Sequence, residues 1–305
     1  MSIIDLMLDL VRLRVLVAVA RERSVTAAAE KLHYSQPSVS HHLARLEADV
    51  GAPLTQRAGR GIRLTEAGRI LAARAEEILG QVEAAQTEVA EHAGLRAGRL
   101  RLAAFPSALA TLVPRAVARF SAAHPAIDIA LNEAEPPVAL TGLRNGEVDV
   151  AMIFAHGDSP AGDDRNTTIT PVLTEPMYVV TPANRQWPGE RTKLATFAHA
   201  RWIAGCERCR LHLVAACEVA GFTPDIAFET DDYVAVQALV AAGLGVSTLP
   251  GLALVANRHP DVRIDRLPDD HRRIAVATYG RSPAPLPVQA FITALREAMV
   301  TPAWP

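Results

Sequence analysis

The segment CERCRLHLVAAC, residues 206–217, contains the side chains best suited to redox or metal chemistry in this chain. Cys206 and Cys209 have the C-x-x-C spacing, and a thiol at the start of a helix can have a lowered pKa and act as a redox switch. Together with His212 and Cys217 they supply four candidate zinc ligands. In a purely structural interpretation, Cys217 is a small buried hydrophobe and Cys206 is part of a pocket wall. We favour the structural interpretation, keep Cys206 and Cys209 as redox candidates, and predict no metal site and no cofactor.

A second segment, KLHYSQPSVSHHLARLE at residues 31–47, has many hydrogen-bonding side chains but few apolar ones for a helix. Ser35 is a suitable N-cap, and Pro37 fits the first turn, where a missing N–H costs nothing. The apolar stripe of this predicted helix consists of Val39, Leu43 and Leu46. A helix with one narrow apolar stripe and a polar remainder is suited to the major groove of DNA, where base edges present donors and acceptors. The alternative is a solvated surface helix.

Three short helices and a hairpin must position this polar surface. Residues 10–20 carry the apolar spacing of an amphipathic helix, and Ser24 can cap a second helix at Val25–Leu32. With the helix that follows Ser35 they form a helix-turn-helix unit. The segment LTQRAGRGIRLT, residues 54–65, then predicts a wing, with two extended edges around a glycine-rich tip. Its arginines can neutralise phosphates or enter the minor groove; the alternative is an exposed loop that arginine keeps soluble.

The predicted helix and wing define a set of candidate DNA contacts. We expect Gln36 to make paired hydrogen bonds to adenine, with Ser38 and His41 reaching base edges. Ser35 and Ser40 are better placed for phosphate contact or packing. The complete set of predicted DNA-contacting residues is Ser35, Gln36, Pro37, Ser38, Ser40, His41, Arg57, Arg60, Arg63 and Thr65.

From Thr65, a candidate N-cap that can also touch phosphate, to about Glu91 the pattern predicts one long helix. Its apolar residues recur at spacings of four and three, which is a heptad seam. A helix of roughly 25 residues spans about 40 Å, too long to be covered by its own small domain. We therefore predict that it pairs with a second copy of itself; packing onto the rest of its own chain is the alternative. The predicted dimerisation residues are Leu71, Ala75, Ile78, Val82, Ala85 and Val89.

The remaining sequence alternates between strand and helix patterns, which predicts an α/β domain. Two such runs, residues 99–154 and 177–250, are followed by a last strand and helix. We predict two α/β units joined by crossovers near residues 170 and 267. Strand ends and helix N-termini of such units converge on a cleft. Ser107 follows the first strand and precedes a helix, so its hydroxyl and the nearby amides could hold an anion.

Bulk composition narrows the class of protein. The chain has 305 residues, of which 50% are hydrophobic and 21% charged, typical of a globular protein with two or three domains. Its net charge is −2, but residues 1–70 carry an excess of positive charge, which places any nucleic-acid contact there. We find no export signal and no apolar run long enough for a membrane span, and expect a cytoplasmic protein. No nucleophile elbow, phosphate loop or paired-carboxylate motif is visible, so we predict no enzyme activity and no catalytic residues.

The N-terminal block VLVAVARERSVTAAAEKLHYSQPSVSHHLARLEADVGAPLTQRAGRGIRLTEAG, residues 15–68, resembles the LysR-type transcriptional regulators. Further family-like segments are FSAAHPAIDIAL at 120–131, GEVDVAMI at 146–153 and LVAAGLGVSTLP at 239–250. The resemblance covers essentially the whole chain in the family's order. This chain departs from the family at Thr55 and near Leu16, where aromatic residues are usual, and we expect looser packing beneath the wing.

The resemblance implies a winged helix-turn-helix, a long dimerising linker helix and an effector-binding domain like that of periplasmic solute receptors. It implies a homodimer or homotetramer that binds double-stranded promoter DNA and changes its bending when a small molecule enters the cleft. RNA polymerase is a further candidate partner, and no membrane is implied. By position in the family's pattern, the predicted effector-binding residues are Ser107, Pro136, Phe154, Cys206, Thr230 and Thr248.

We therefore predict an N-terminal all-α winged helix-turn-helix with a long linker helix, then an α/β effector domain of two Rossmann-like subdomains, periplasmic-binding-protein-like in fold. The predicted boundaries are 1–65 for the DNA-binding domain, 66–94 for the linker and dimerisation helix, and 95–305 for the effector-binding domain. Within the last, subdomain I covers about 99–170 and 268–300, and subdomain II about 171–267. The predicted function is a LysR-type regulator whose promoter binding or bending is controlled by a small-molecule effector. The alternative is a thiol-based redox-sensing regulator that uses Cys206 and Cys209.

Overall fold

The structure, a computed structural model, describes residues 8–58, 61–92, 98–157, 166–280, 284–298 and 303–305. The chain divides into two compact units, one formed by the residues before 97 together with Thr141–Val148, and the other by the remaining residues. The predicted fold class is confirmed, because a helical helix-turn-helix domain precedes an α/β domain with a mixed sheet. Within the described residues, every helix is too short or too polar to cross a membrane.

The first unit is built of helices and a small hairpin. Its elements are α1 Leu10–Glu22, α2 Val25–Leu32, α3 Gln36–Val50, β1 Thr55–Ala58, β2 Gly61–Leu64 and α4 Glu66–His92. The side-chain oxygens of Asp9, Ser24 and Ser35 accept backbone hydrogen bonds in the first turns of α1, α2 and α3. His33 ends α2 in the left-handed region, at φ 56°, and so turns the chain sharply into α3. The caps and the turn together fix the orientation of α3 relative to α2.

The core of this unit lies between the first three helices and the start of α4. The predicted stripe of α3 points into it, because Val39, Leu43 and Leu46 are buried. The start of α4 approaches the chain before the wing closely, since a Cβ on Gly68 would lie 2.0 Å from the backbone oxygen of Leu54. A glycine is therefore required where α4 passes this segment.

The N-terminal part of α4 packs on its own domain. Ala75 has no exposed surface, and Leu71 and Ile78 are half-buried against the same core. The first three positions of the predicted intermolecular seam are therefore directed at this core, and Ala75 cannot contact a second chain while it is buried there. The apolar stripe here contributes to the helix-turn-helix core, so Ala75 is not on an exposed seam, whereas the dimerisation role of Leu71 and Ile78 stays a prediction.

The later part of the predicted seam is more open. Val82 is half-buried and Ala85 is exposed, whereas the side chain of Val89 lies outside the described residues. On another face of α4, Ile70 is 59% exposed. A second copy of the chain could therefore contact the later part of α4 or the face that carries Ile70.

The second unit alternates strands and helices. Its elements are β3 Gly98–Ala104, α5 Pro106–Leu109, α6 Leu112–Ala123, β4 Ile127–Glu133, α7 Pro136–Arg144 (whose residues from Thr141 on belong to the first unit), β5 Val150–His156, β6 Thr167–Pro182, a 3-10 helix Leu194–Phe197, β7 Arg201–Ala204, α8 Glu207–Val219, β8 Asp225–Glu229, α9 Tyr233–Ala241, β9 Ser247–Pro250, α10 Gly251–Ala256, β10 Val262–Tyr279 and α11 Leu286–Ala298. The predicted strands and helices are all present, whereas α5, the 3-10 helix, β7 and α10 were not predicted. These four elements are short, with four, four, four and six residues, and so show no usable periodicity.

The main sheet has the strand order β4-β3-β5-β10-β6-β9, and β7 and β8 form a separate parallel pair. β3 is parallel to β4 and β5, whereas β10 is antiparallel to β5 and to β6. The first half of β6 pairs with the second half of β10, and the second half of β6 with the first half of β10. These two long strands form a continuous ribbon between the two halves of the unit.

The ribbon contains a bulge in β10. Arg266 pairs with Tyr178 and His271 pairs with Pro176, so residues 267–270 of β10 lie opposite Met177 alone. Extra residues in one strand bend it and redirect its side chains. The bulge lies where the ribbon passes from one half of the unit to the other.

Separate apolar cores lie on the two sides of this passage. One contains Phe105, Phe154 and Phe291, and another contains Trp202 and Cys217. Cys217 is fully buried, and burial raises the pKa of its thiol to about 12. This is the environment that the structural interpretation of Cys217 predicted.

Candidate functional site

The polar face of α3 is open to solvent in the first unit. Its exposed residues include Ser35, Gln36, Pro37 and His41. Ser38 and Ser40 are half-buried, and Gln36 Nε2 donates a hydrogen bond to Ser40 Oγ at 3.2 Å. This bond holds the amide of Gln36 along the helix. The surface offers hydrogen-bonding groups on a rigid helix, which is what reading of base edges requires.

Glu47, near the end of α3, fixes this helix to the wing. Its Oε1 accepts hydrogen bonds from the backbone N–H groups of Leu54 and Thr55, at 2.8 and 2.9 Å, and from the Thr55 hydroxyl at 3.0 Å. Hydrogen bonds to a carboxylate are stronger than neutral ones, so the position of β1 is tied to that of α3. Thr55, where the family usually has an aromatic residue, thus has a defined polar partner. The role of Glu47 was not predicted from the sequence, because its partners follow it by seven and eight residues across an irregular turn.

The wing presents arginine side chains at its edges. Arg57 and Arg63 are exposed, and the register pairs Arg57 with Ile62 and Gln56 with Arg63. Arg60 lies outside the described residues. The two described arginines are available to neutralise phosphates beside the groove that α3 would enter.

Thr65 has a structural role at the end of the wing. Its hydroxyl donates to the backbone oxygen of Pro53 at 2.7 Å and accepts from the backbone N–H of Gly68 at 3.0 Å. Thr65 therefore caps α4, as expected from its position, and ties the end of the wing to the segment before it.

A buried arginine, Arg272, organises the interior of the second unit. Its Nε donates to Glu175 Oε1 at 2.7 Å and its Nη2 donates to Ser107 Oγ at 2.8 Å. The guanidinium carbon lies 4.2 Å from the ring centre of Phe154 and 4.9 Å from that of Phe105. Burial by itself would lower the pKa of Arg272, but the adjacent Glu175 raises it, so the side chain stays charged.

The polar atoms around Arg272 are not all satisfied. Glu175 has no exposed surface, and its Oε2 accepts from the backbone N–H of Leu252 at 2.7 Å. Arg272 Nη1 is buried and has no hydrogen-bond partner among the described residues. Tyr233 hydrogen-bonds with Ser107, and burial raises its pKa. A charged donor is therefore left over in an otherwise paired interior, which is uncommon.

Cys206 and Cys209 meet at the start of α8. Cys206 is the N-cap, and its Sγ accepts from the backbone N–H of Cys209 at 3.3 Å. A hydrogen bond between the two thiols, together with burial, raises the pKa of Cys206. The same bond lowers the pKa of Cys209 despite burial, and the charge of Arg272 lowers it further. Cys209 is therefore the thiol of the pair that ionises first.

Glu135 completes this polar cluster. Its carboxyl group hydrogen-bonds with the Cys206 thiol, and burial raises its pKa. The burial effect exceeds the opposing effects of the Cys206 bond and of Arg272. Glu135 directly precedes α7, so it belongs to the strand-to-helix corners where such folds place ligand-binding groups.

The structure brings some of the predicted effector residues together. Ser107 and Phe154 contact Arg272, Cys206 belongs to the same apolar core as Phe154, and Pro136 is buried next to Glu135. These residues were predicted from the sequence, whereas Arg272, Glu175 and Tyr233, which form the polar contacts around Ser107, were not.

Two predicted effector residues lie elsewhere. Thr230 lines an open polar cleft of about 450 Å³ beside the start of α8. The cleft is lined by Gly205, Glu207, Arg210, Glu229, Thr230 and Asp231. Thr248 is half-buried in β9, where it pairs with Val179. Within the part of the chain that the structure describes, no hydrogen bond or ring contact joins Thr248 to Arg272 or its neighbours.

An exposed recognition helix with a wing, followed by an α/β unit with a polar interior site, defines a helix-turn-helix regulator with a ligand-binding domain. Residues 10–69 match the family model for bacterial regulatory helix-turn-helix proteins of the lysR family, and residues 93–300 match that for the LysR substrate binding domain. The chain belongs to the LysR family of transcriptional regulators. Both models describe regulatory proteins, so the predictions of the family and of a chain that is not an enzyme are confirmed.

Individual relatives agree with this assignment. The chain is 30% identical over 258 residues to the uncharacterised HTH-type transcriptional regulator YcgK of Bacillus subtilis, covering 77% of each protein. It is 27% identical over 252 residues to a hydrogen peroxide-inducible genes activator of Dickeya chrysanthemi, covering 82% of this chain and 81% of that protein. Among solved structures, it is similar to a cysteine-to-aspartate variant of full-length OxyR from Pseudomonas aeruginosa, with a TM-score of 0.68, 25% identity and 95% of each chain covered.

Proposed function

We propose that this regulator places α3 in the major groove of promoter DNA, with the wing on the neighbouring phosphates. The observation that carries this proposal is the surface of α3. Gln36 and His41 are exposed on a helix whose apolar stripe is buried in its own domain and whose end is bonded to the wing through Glu47. Such a helix can present side chains to base edges without losing its packing.

The experiment is an anisotropy titration of the full-length protein with labelled duplex from upstream of its own gene. A well-placed side chain contributes about 1–3 kcal/mol to base discrimination, so we expect Gln36→Ala and His41→Ala each to weaken binding by roughly 5- to 150-fold. Gln186→Ala and His199→Ala remove the same side-chain types from exposed positions in the second unit and should leave affinity unchanged. Unchanged affinity in a folded Gln36→Ala, His41→Ala double variant would contradict the proposal.

We further infer that the regulator acts as a homodimer or homotetramer, since two DNA half-sites require twofold symmetry in the protein. The exposed surface of α4, which includes Ile70, supports this inference. Sedimentation velocity of Ile70→Glu against Arg69→Glu, an exposed residue about 100° around the same helix, would test that face. Loss of association in Ile70→Glu alone is the expected result. RNA polymerase is a candidate partner at the promoter, which a supershift of the protein–DNA complex would detect.

We propose that a small-molecule effector binds in the second unit, beside Arg272 and the start of α8. The unpaired Nη1 of Arg272 supports this proposal, because a ligand acceptor would remove the cost of a buried, unsatisfied donor. The open cleft lined by Gly205 and Thr230 lies next to Cys206 at the start of α8, and we infer that the ligand enters there. Ser107 and Phe154 already contact Arg272, so they would share the ligand's surroundings.

A thermal-shift screen of metabolites on the full chain would identify the effector, because a ligand of the folded state raises the melting temperature. For a compound found in this way, we expect Thr230→Val to reduce the shift. Thr223→Val, an exposed threonine between α8 and β8, should keep it. An equal shift in both variants would show that Thr230 does not contact the ligand. The compound should also change the affinity or bending of promoter DNA.

A second candidate function is thiol sensing, which the contact between Cys206 and Cys209 favours. In this scheme the Cys209 thiolate attacks one oxygen of a peroxide, forms a sulfenic acid and releases hydroxide. The Cys206 thiol then attacks the Cys209 sulfur, a disulfide forms and water leaves. The lowered pKa of Cys209 supports its role as nucleophile. The relative from Dickeya chrysanthemi is named as an activator of hydrogen peroxide-inducible genes.

Thiol counting after treatment with hydrogen peroxide separates the two candidates. We expect the wild-type chain to lose two free thiols and Cys206→Ser to stop at a sulfenic acid that dimedone traps on Cys209. Cys217→Ser should behave like the wild type apart from its missing thiol, because Cys217 is buried in a different core. Retention of all three free thiols in the wild type, with a normal metabolite response, would remove the thiol candidate.

A further inference from the structure

Two histidines and an aspartate from three separate elements meet in the second unit. His156 ends β5, His212 lies on α8, and Asp270 lies in the bulge of β10. One potential ligand atom from each of them lies within 4.8 Å of the other two. We propose that His156, His212 and Asp270, the metal triad below, bind one divalent transition-metal ion of the zinc type.

The state of His156 is the first argument. Both of its ring nitrogens are buried, and neither has a hydrogen-bond partner among the described residues. The ring lies between those of Phe154 and His212, whose centroids are 5.5 and 4.0 Å away. A neutral imidazole with a free lone pair is the form that ligates metal ions. Leaving such a group unpaired is costly, and a bound ion would remove part of that cost.

The partners of His156 give the second argument. His212 Nε2 lies 2.8 and 3.0 Å from the two carboxylate oxygens of Asp270. The rings of His156 and His212 are stacked, with centroids 4.0 Å apart and an angle of 10° between their planes. Ligands about 2.0–2.2 Å from a tetrahedral ion are roughly 3.4 Å from one another, which lies inside the 4.8 Å span of the metal triad. Because the lone pairs of parallel rings do not converge, ion binding must tilt one ring and replace both the stack and the His212–Asp270 bond.

The donor set selects the class of ion. Two imidazoles and one carboxylate suit zinc, cobalt, nickel or iron, whereas calcium and magnesium prefer oxygen ligands. Three protein ligands also leave a coordination position for water or a ligand group. The positive charges near His156 oppose a cation, but that of Arg272 is neutralised by Glu175. Arg208 donates to the backbone oxygen of Phe154 and has no carboxylate partner among the described residues, so binding depends on the covalent character of the nitrogen–metal bonds.

The position of the metal triad gives the ion a structural effect. His156 and Asp270 belong to neighbouring strands, whereas His212 belongs to α8, whose first turn carries Cys206 and Cys209. A bound ion would therefore hold α8 against β5 and β10. This site is separate from the Cys-x-x-Cys set and needs neither thiol.

The test is isothermal titration of the chelator-treated full-length protein with zinc chloride and cobalt chloride. We expect one ion per chain, and no binding of magnesium chloride at the same concentrations. Asp270→Asn and His212→Gln should weaken binding by at least about tenfold, whereas His199→Gln, an exposed histidine of the same unit, should not. Asp270→Asn keeps the size of the side chain, and circular dichroism of each variant checks the fold.

Cobalt spectra distinguish the metal triad from a cysteine site. We expect d–d bands without a thiolate-to-metal charge-transfer band, and an unchanged spectrum in the Cys206→Ser, Cys209→Ser double variant. A charge-transfer band that disappears in this double variant would overturn the proposal in favour of cysteine ligation. Absence of zinc binding by the wild type, or equal binding by folded Asp270→Asn, would also overturn it. None of these results bears on DNA binding through α3, which is measured separately.

Discussion

Replacing Glu175 by glutamine should destabilise the second unit, because it leaves the guanidinium of Arg272 buried without a counter-ion. Both side chains have no exposed surface. The carboxylate accepts from Arg272 through Oε1 and from the backbone N–H of Leu252 through Oε2. Glutamine has nearly the same shape, but it has one acceptor oxygen in place of two and no charge. The substitution therefore changes electrostatics and hydrogen bonding with little change in volume.

The expected magnitude follows from these contacts. Hydrogen bonds to charged groups contribute about 1.5–3 kcal/mol each, and removing one partner of a buried ion pair typically costs about 3–5 kcal/mol. Since the amide still accepts one bond, we expect a loss of about 3 kcal/mol in the free energy of unfolding. With a urea m-value of about 2 kcal/mol/M, the midpoint would fall by roughly 1.5 M.

The chain provides its own fluorescent probe for this measurement. Trp187, Trp202 and Trp304 all belong to the second unit, so tryptophan fluorescence in urea follows the unfolding of that unit. Glu297→Gln is the matched control, because Glu297 forms an exposed ion pair with Arg119 at 2.6 Å. Exposed pairs contribute about 0–1 kcal/mol, so its midpoint should hardly move.

A double variant that removes both charges of the buried ion pair provides a further test. Glu175→Leu combined with Arg272→Met removes both charges and replaces them with apolar side chains of similar length. Such replacements are often neutral or stabilising, so the double variant should be more stable than Glu175→Gln. Equal midpoints for Glu175→Gln and Glu297→Gln would refute the reasoning that the buried carboxylate balances the charge of Arg272.

Three further predictions concern other parts of the chain. Gly68→Ala should lower the stability of the first unit by about 2 kcal/mol or more in circular-dichroism melts, because its Cβ would lie 2.0 Å from the Leu54 oxygen. Gly98→Ala is the control, because a Cβ there meets no atom within 4 Å and the substitution should not lower the melting temperature. Glu47→Ala should cost about 2 kcal/mol in the same melts and weaken DNA binding, by releasing three hydrogen bonds to the wing; unchanged melting would contradict this. The buried His156 has its pKa lowered from 6.5 to about 2. As pH falls below 6.5, His156 therefore gains a proton in the unfolded chain but not in the folded chain. The free energy of unfolding, measured by urea titration, should fall by up to about 1.4 kcal/mol per pH unit. The fall should be shallower in His156→Gln.

The first unit could be predicted from sequence because its signals are local. The cap at Ser35, the Pro37 beside it and the stripe that begins at Val39 lie within five residues of one another. The long helix after Thr65 was also predictable, but not the direction of its apolar face. A heptad pattern is the same whether the seam faces a second chain or its own domain, and Ala75 is buried in its own domain.

The site in the second unit could be predicted only in part because its contacts are distant in sequence. Ser107 and Cys206 were found at strand-to-helix corners, which follow from the alternation of elements. Arg272 is 97 residues from Glu175 and 165 residues from Ser107, and it lies in a strand where a charge suggests an exposed position. The metal triad was missed for the same reason, since 58 residues separate His212 from Asp270.

The β6–β10 ribbon limits how the second unit can respond to a ligand. Two antiparallel strands that stay hydrogen-bonded along their lengths restrict the relative motion of the two halves that they connect. Two flexible linkers would not restrict this motion. Deformation should concentrate at residues 267–270, where the ladder is already interrupted. A molecule bound beside that interruption would therefore fix the rotation of one half of the unit relative to the other about the ribbon, and would have less effect on the distance between the two halves.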